Sequence, residues 1–249
     1  DVCSSDLKYL EDIGLLKLDF LGLKCLTIIE KALELIEKRT GEKINMLKIP
    51  ITDQKTFELL QRGDTTGVFQ LESSGMRRYI KELKPTHFED IVAMISLYRP
   101  GPMEWIPSYI EGKHKPETVK YLDPSFVSIL KETNGVAIYQ EQILLIARHF
   151  AGFSLGEADI LRRAVGKKDP KAVAEQKDKF IEGAVNCGHT QPHAKEIFEK
   201  VIEPFAGYGF NKAHAACYAM ISYRTSYLKA HYPSELMAAL LTSDHGNTD

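Results

Sequence analysis

A single acidic side chain, Asp19, interrupts the apolar run GLLKLDFLGLKCLTII at residues 14–29. Burying a carboxylate that has no partner costs several kcal/mol. We therefore expect Asp19 to have a partner, either a neighbouring cation such as Lys17 or a metal ion. Carboxylate oxygens suit hard cations such as Mg²⁺, so Asp19 is a candidate metal ligand.

The segment ADILRRAVGKKDP concentrates positive charge, because seven residues carry Arg162, Arg163, Lys167 and Lys168. Helical spacing places the arginines opposite an apolar face formed by Ile160, Leu161, Ala164 and Val165. No acidic residue follows either arginine at i+4, and Gly166 leaves space beside the charges. This pattern is typical of a phosphate-binding surface. A second interpretation stays open, since cations near a helix C-terminus also complement the helix dipole on a solvated face.

Three further segments carry cationic, aromatic or potentially metal-ligating side chains. Arg77 and Arg78, in QLESSGMRRYIKELK, indicate by themselves an ordinary solvated helix face. The segment AGYGFNKAHAACYAM interleaves aromatic and basic residues with alanines, which permits close approach of a base pair or, more commonly, of another helix. The residues Cys187, His189 and His193 of CGHTQPH are a weak zinc pattern, so we predict a loop there.

The composition narrows the class of protein. The chain has 249 residues, 44% hydrophobic residues and a formal net charge of −2, which argues against a globally basic nucleic-acid binder. Its four cysteines form no CxxC pair, as in a reduced cytosolic protein. No apolar run is long enough to cross a membrane. We expect a cytoplasmic protein without a membrane partner.

Apolar periodicity predicts a mainly α-helical fold. A buried strand is expected over the apolar residues before a helix that ends at Gly41, and short strands are conceivable in TTGVFQL and NGVAIY. Ser154 with Glu157, and Thr86 with Glu89, have capping-box spacing, and Asp169 precedes Pro170 as a helix cap would. Further helices are expected near 53–62, 74–83, 87–97, 124–132, 140–151, 155–166, 170–186, 192–204, 211–231 and 234–242.

Several ordered segments together resemble one known family. They are GLLKLDFLGL, GVFQLESSGM, YRPGPM, YQEQ, GEADILRRAVGKK and GYGFNKAHAACYAMISYRTSYLKAHYP. In this order they look like the catalytic alpha subunit of bacterial DNA polymerase III, the C-family replicative polymerases. The resemblance covers about residues 8–249 and implies a helical fingers domain preceded by the last strand of a nucleotidyltransferase-type palm. It places the end of the palm at residues 1–22 and the first part of the fingers at 23–249.

The resemblance also implies that the chain is a piece of a longer protein, truncated within the fingers. The chain does not begin with Met, and residues 1–7 read as non-native sequence. In the family, three aspartates hold two Mg²⁺ ions, and Asp19 matches the one outside the Asp-x-Asp motif. The chain has no Asp-x-Asp. We therefore expect it to be inactive alone, with Asp19 as its one catalytic metal ligand.

The resemblance assigns nucleotide-binding roles to two segments. Arg162 and Arg163 are expected to contact the triphosphate of the incoming deoxynucleotide, with Lys167 and Lys168 as helpers. Around the second segment, the nucleotide-binding residues are Tyr208, Asn211, Lys212 and His214, and His214 is expected to lie against the sugar. Many relatives carry Ser where Ala213 stands, which puts a polar role for that position in doubt.

The implied partners are primer-template DNA, with Arg77 and Arg78 as DNA-binding residues, and deoxynucleoside triphosphates. The full-length protein would also bind sliding clamp, proofreading and clamp-loader subunits. An alternative from another class is a non-catalytic helical module that binds nucleic acid. A structural helical-repeat scaffold is disfavoured, because the sequence has no internal period.

Overall fold

The computed structural model describes residues 14–16, 18, 22–167, 170–205 and 209–244. This part of the chain is mainly helical, and it contains no β-strand, which confirms the mainly α prediction. Its α-helices are α1 Lys24–Thr40, α2 Gln54–Arg62, α3 Ser74–Leu83, α4 Phe88–Leu97, α5 Ile106–His114, α6 Val127–Leu130, α7 Gln140–Ala151, α8 Leu155–Lys167, α9 Pro170–Asn186, α10 Gln191–Ile197, α11 Glu203–Phe205, α12 Lys212–His231 and α13 Pro233–Asp244.

Short helical turns connect several of these helices. The 3-10 turns are Met46–Lys48, Pro102–Trp105, Pro116–Thr118, Pro124–Phe126 and Lys131–Thr133, and a π-helical turn, Phe198–Ile202, joins α10 to α11. Among the described residues, no helix has the length and apolar character that a membrane span requires.

Helix α12 is the central element of the first hydrophobic cluster. Ala215 and Ala219, one turn apart, are fully buried against α4, and Tyr223 continues the same face toward α2. The small alanine side chains let the backbones of α12 and α4 approach closely. Ala215 and Ala219 therefore serve helix packing, the more common of the two interpretations of the pattern. The carboxyl-terminal part of α12 joins α1 and α13 in a third, smaller cluster.

The second hydrophobic cluster comes entirely from residues 126–205. Helices α7, α8 and α9 pack on one another around Phe150 and Phe180, and Phe198, the first residue of the π-helical turn after α10, closes the cluster. Gly183 permits the contact of α9 with α7, because a Cβ atom there would lie 2.3 Å from the carbonyl oxygen of Ala151. This cluster is the scaffold on which α8 presents its cations.

A buried glutamine, Gln142, organises the junction between the first two clusters. Its Oε1 accepts hydrogen bonds from the backbone N–H groups of Ile138 (2.8 Å) and Tyr139 (2.9 Å). Its Nε2 donates to the carbonyl of Ile129 (3.2 Å) and to Thr133 Oγ1 (2.8 Å). The oxygen and the nitrogen of the Gln142 side chain each make two hydrogen bonds within the protein. These four bonds hold the 129–139 loop to the first turn of α7.

The same loop pairs with the residue before α12. Phe210 donates its N–H to Ile138 (3.1 Å), and its carbonyl accepts from the N–H of Gln140 (2.9 Å). These two bonds form an isolated parallel bridge between Tyr139 and Phe210. The strand considered for NGVAIY is thus reduced to one bridge, and residues 65–71 of TTGVFQL form turns.

Other local predictions have mixed outcomes. The capping box of α8 is confirmed, since Ser154 N–H donates to Glu157 (2.8 Å) and Glu157 N–H donates to Ser154 Oγ (3.3 Å). The box at Thr86 and Glu89 is wrong by one residue, because Asp90 accepts the N–H groups of Thr86 and His87. The palm strand is not confirmed. Leu15, Leu16 and Leu18 are exposed and outside regular structure, and the rest of that run, like Asp169, lies outside the described residues.

We predict that Gln142→Leu lowers the free energy of unfolding by about 2–5 kcal/mol. The substitution leaves the buried N–H groups of Ile138 and Tyr139 without their acceptor, and an unsatisfied buried donor costs about 1–3 kcal/mol. Urea denaturation followed by circular dichroism measures the change.

The control is Gln54→Leu, which removes an exposed hydrogen bond to Glu58 on α2. Its effect is expected within about 0.5 kcal/mol. Equal losses in the two variants would show that the Gln142 network contributes nothing specific.

Candidate functional site

Helix α8 is positioned by its buried face, which leaves its cations toward solvent. Ala158, Leu161 and Val165 lie in the second cluster at helical spacing. Ala164 is buried as predicted, but Ile160 is 56% exposed, so its assignment to the apolar face is wrong. The face that packs on α7 and α9 is centred on 158, 161 and 165, and Ile160 lies beyond its edge.

Arg162 is held in a fixed position by two neighbours. Its Nε and Nη2 donate to Asp159 Oδ1 at 2.9 and 2.7 Å, and its Nη1 donates to Gln140 Oε1 at 3.2 Å. The side chain is half-buried. The planar guanidinium is therefore oriented before any ligand arrives.

Arg163 shares the same carboxylate but is far more exposed. Its Nη2 lies 2.7 Å from Asp159 Oδ2, and 67% of its side chain is exposed. Asp159 precedes the arginines by three and four residues, so the i+4 positions that follow them do not reveal it. The prediction of an unneutralised pair is wrong. Hydrogen bonding from Arg162, together with the charges of both arginines, lowers the pKa of Asp159.

Gln140 links Arg162 to the segment that precedes α12. Its side-chain Nε2 donates to the carbonyl of Gly209 (3.2 Å), while its backbone N–H bonds Phe210. The position of Gly209 has no space for a side chain, because a Cβ atom there would lie 2.0 Å from the Phe205 ring. Gln140, Arg162, Gly166 and Gly209 line one small cavity of about 30 Å³. The cationic end of α8 and the start of α12 thus meet at Gln140.

The first turn of α12 brings together three predicted residues. Asn211 caps the helix, accepting the N–H of His214 at 2.8 Å. His214 is exposed and lies between the rings of Phe210 and Tyr218, with centroid distances of 5.5 and 4.5 Å. Ala213 is also exposed, so the surface beside His214 carries no bulky side chain at that position.

Lys212 belongs to this turn but is engaged by acidic residues. Its Nζ lies 2.7 Å from Glu132 and 5.3 Å from the centroid of the Tyr139 ring, and its backbone N–H bonds Glu141. Burial, with Glu132 and other nearby carboxylates, raises the pKa of Tyr139. Lys212 therefore balances local negative charge in addition to any charge it offers a ligand.

Arg77 and Arg78 lie on a different part of the surface. They belong to α3, which packs against α2 and α5, whereas α8 packs against α7 and α9. Arg77 donates to Thr66 Oγ1 at 3.2 Å, and Arg78 lies 3.8 Å from Glu82 and 4.7 Å from the Tyr79 ring centroid. These contacts do not join them to the α8 arginines.

Several predicted site residues lie outside the described part of the chain. They are Asp19, Lys168 and Tyr208, together with Lys17 as a partner of Asp19. Lys167 ends α8, but its side chain is likewise outside the description.

Two residues of the site were missed by the sequence reasoning, although both lie in segments that carried the family resemblance. Gln140, in YQEQ, connects α8 to α12 as described above. Arg99, in YRPGPM, places its guanidinium 4.2 Å from the Phe210 ring centroid and donates to the carbonyl of Ser96. The cation and the aromatic ring are far apart in sequence, so only the fold reveals this pair.

A family model and similar curated proteins agree on one family for this chain. The model of the "Bacterial DNA polymerase III alpha subunit finger domain" matches residues 25–188. Proteins named DNA polymerase III subunit alpha are 53% identical in Halalkalibacterium halodurans, 54% in Staphylococcus aureus strain COL and 52% in Bacillus subtilis strain 168. These alignments cover 94%, 95% and 97% of this chain, but 21%, 22% and 22% of the relatives.

The described residues form a mainly α-helical domain in which the cations of α8 lie near the start of α12. The match over residues 25–188 and the three relatives specify it further: the chain belongs to the family of bacterial DNA polymerase III alpha subunits. It spans about a fifth of the length of the curated relatives that it matches. The family resemblance found in the sequence is confirmed.

We predict that Arg162→Ala and Arg163→Ala differ in their effects on stability. Loss of the half-buried Arg162 removes charge-assisted hydrogen bonds to Asp159 and the bond to Gln140, and should cost about 1–2 kcal/mol. Loss of the exposed Arg163 should cost under about 0.5 kcal/mol. Urea denaturation of both variants provides the comparison, and each serves as the other's control. The reverse order would show that Arg162 is not anchored as described.

Proposed function

We propose that this chain is the fingers segment of a DNA-directed DNA polymerase that adds deoxynucleotides to a primer 3′ end. In this proposal, α8 and the start of α12 form the surface that holds the triphosphate. The observation that carries the proposal is the pair Arg162 and Arg163, one anchored and one exposed, in a chain of this family.

In this proposal the two arginines have different roles in phosphate binding. Arg162 keeps its orientation through Asp159 and Gln140. Arg163, which is largely exposed and held at Asp159, can exchange that carboxylate for phosphate oxygens. Guanidinium groups match phosphate geometry in a bidentate manner. Their charge would also stabilise the negative charge that develops on pyrophosphate as it leaves.

The remaining predicted residues would complete this surface. The positive end of the α12 helix dipole favours an anion, and Asn211 fixes that start. His214 and the exposed Ala213 offer an open, partly aromatic surface for the sugar. Lys212 and Tyr208, with Lys167 and Lys168, are proposed as further nucleotide contacts.

Metal chemistry is proposed only for the complete polymerase. Two Mg²⁺ ions need several converging carboxylates, and this chain offers Asp19 without any Asp-x-Asp. The donor set is thus insufficient on its own, and the other carboxylates must come from the rest of the polymerase. When bound, the metals would activate the primer hydroxyl and hold the triphosphate.

We also propose primer-template DNA as a partner, with the partly buried Arg77 and the exposed Arg78 of α3 contacting its backbone. Sliding clamp, proofreading and clamp-loader subunits are proposed partners of the full-length protein. Helical packing and cations are equally compatible with a non-catalytic nucleic-acid-binding module. Nucleotide kinetics distinguish that module from a polymerase segment.

In the complete polymerase, we predict that Arg163→Ala raises the nucleotide KM or lowers kcat about ten- to a hundredfold. Each charge-assisted contact to phosphate contributes about 1.5–3 kcal/mol. Arg163→Lys should recover part of the loss, since an ammonium keeps the charge but not the bidentate geometry. Steady-state primer extension gives KM and kcat, and a gel-shift titration gives primer-template affinity, which should stay nearly constant.

The matched control is Arg148→Ala, an exposed arginine in the last turn of the adjacent α7. Its nucleotide KM should be unchanged. If Arg163→Ala polymerises like Arg148→Ala, the α8 cations only complement the helix end, and the triphosphate is held elsewhere.

We predict that the 249-residue chain alone does not extend a primer with Mg²⁺ and all four deoxynucleotides, because it supplies one of the three expected carboxylates. A radiolabelled primer-extension assay tests this, with the complete polymerase as positive control. Template-dependent extension by a preparation free of host polymerase would contradict the prediction.

A further inference from the structure

Three potential metal ligands from distant parts of the sequence meet beside the second cluster. They are Asp123, before the turn Pro124–Phe126, His189, between α9 and α10, and His193, in the first turn of α10. One ligand atom from each lies within 4.8 Å of the others. The sequence pattern suggested Cys187 as the third member of a weak site, but the fold supplies Asp123 instead.

The Asp123 carboxylate is oriented so that one oxygen faces both histidines. Oδ1 accepts hydrogen bonds from the N–H (2.9 Å) and the hydroxyl (2.6 Å) of Ser125. Oδ2 lies 3.0 Å from His193 Nε2 and 3.9 Å from His189 Nδ1. Asp123 is 7% exposed. Burial opposes its ionisation, but hydrogen bonds from Ser125 and His193 outweigh burial and lower its pKa.

Both imidazole rings are held by their surroundings. The His189 ring stacks on Phe150 with centroids 3.9 Å apart. The His193 ring packs against Phe150 in a T-shaped arrangement with centroids 5.6 Å apart. His193 Nδ1 lies 3.8 Å from Glu196 Oε2, beyond hydrogen-bond distance, while Glu196 Oε1 accepts a hydrogen bond from Lys200 at 2.7 Å. A ligand histidine commonly has a carboxylate beside its second ring nitrogen, which raises its basicity and fixes its orientation.

His189 faces Asp123 without a hydrogen bond between them. The 3.9 Å separation between its Nδ1 and Asp123 Oδ2 exceeds hydrogen-bond distance. In a tetrahedral zinc site with bonds of about 2.1 Å, neighbouring ligand atoms lie about 3.4 Å apart. The distances of 3.0 and 3.9 Å lie on either side of that value. Small side-chain adjustments would therefore close the geometry around a cation.

We propose that Asp123, His189 and His193 form a site for a divalent transition metal of the zinc class. Two imidazoles and a carboxylate suit zinc, and water would complete the tetrahedron. On binding, the metal takes the place of the proton between His193 Nε2 and Asp123 Oδ2, and that proton passes to solvent. The metal would tie the segment before α6 to the α9–α10 connection, a structural role separate from nucleotide binding.

The test uses the 249-residue chain after treatment with a chelator, because the second cluster beneath the site comes wholly from residues 126–205. Calorimetric titration with Zn²⁺ should show one tight site, and Co²⁺ should give the visible absorption of tetrahedral coordination. His193→Ala and His189→Ala should each weaken Zn²⁺ binding at least about tenfold. Zn²⁺ should raise the Tm of the unsubstituted chain and not that of either variant.

The matched control is His149→Ala, which removes an exposed histidine at the end of α7. It should bind Zn²⁺ like the unsubstituted chain. Glu196→Gln removes the carboxylate charge beside His193 Nδ1 and should weaken Zn²⁺ binding less than His193→Ala does, with the fold retained. Circular dichroism checks that each variant is folded. If the unsubstituted chain shows no saturable binding, or if His193→Ala and His149→Ala bind equally, the proposal is wrong.

Discussion

The buried amide of Gln142 is the interaction on which the arrangement of this domain depends. It fixes the loop that carries Ile138 and Tyr139, and this loop pairs with Phe210 through two backbone hydrogen bonds. The neighbouring Gln140 then reaches both Arg162 and Gly209. The cations of α8 and the start of α12 come from separate hydrophobic clusters, so their relative position depends on this junction. A single buried polar side chain with satisfied bonds can specify such a geometry because any other arrangement leaves donors unpaired.

Arg162, Arg163 and Lys212 of the proposed nucleotide-binding surface are each paired with a carboxylate. Asp159 serves both arginines of α8, and Glu132 accompanies Lys212. These carboxylates lower the electrostatic potential that an incoming triphosphate would meet, but they also keep long, flexible side chains in place. Binding would then proceed as an exchange of one anionic partner for another. Such an exchange favours ligands that carry several negative charges, because only these gain more than the displaced carboxylate provided.

The sequence predicted most of the helices, since their apolar spacing and end residues are local signals. It could not predict Asp123 beside His189 and His193, because that cluster depends on how α10 folds back on the second cluster. It also placed the α4 capping box one residue early, since Glu89 and Asp90 both fit the pattern and only geometry selects Asp90. Arg162 and Arg163 were recognised from their types and spacing, whereas Asp159 was missed because only the positions that follow an arginine were considered.

The length of α12 has a mechanical consequence. Its 20 residues extend about 30 Å. One end begins at the capped Asn211 beside the α8 cations, and the other packs with α1 and α13 in the third cluster. Buried side chains anchor the helix along this length. A change in the position of its amino-terminal end would therefore have to be accommodated by the packing of its far end against α1 and α13.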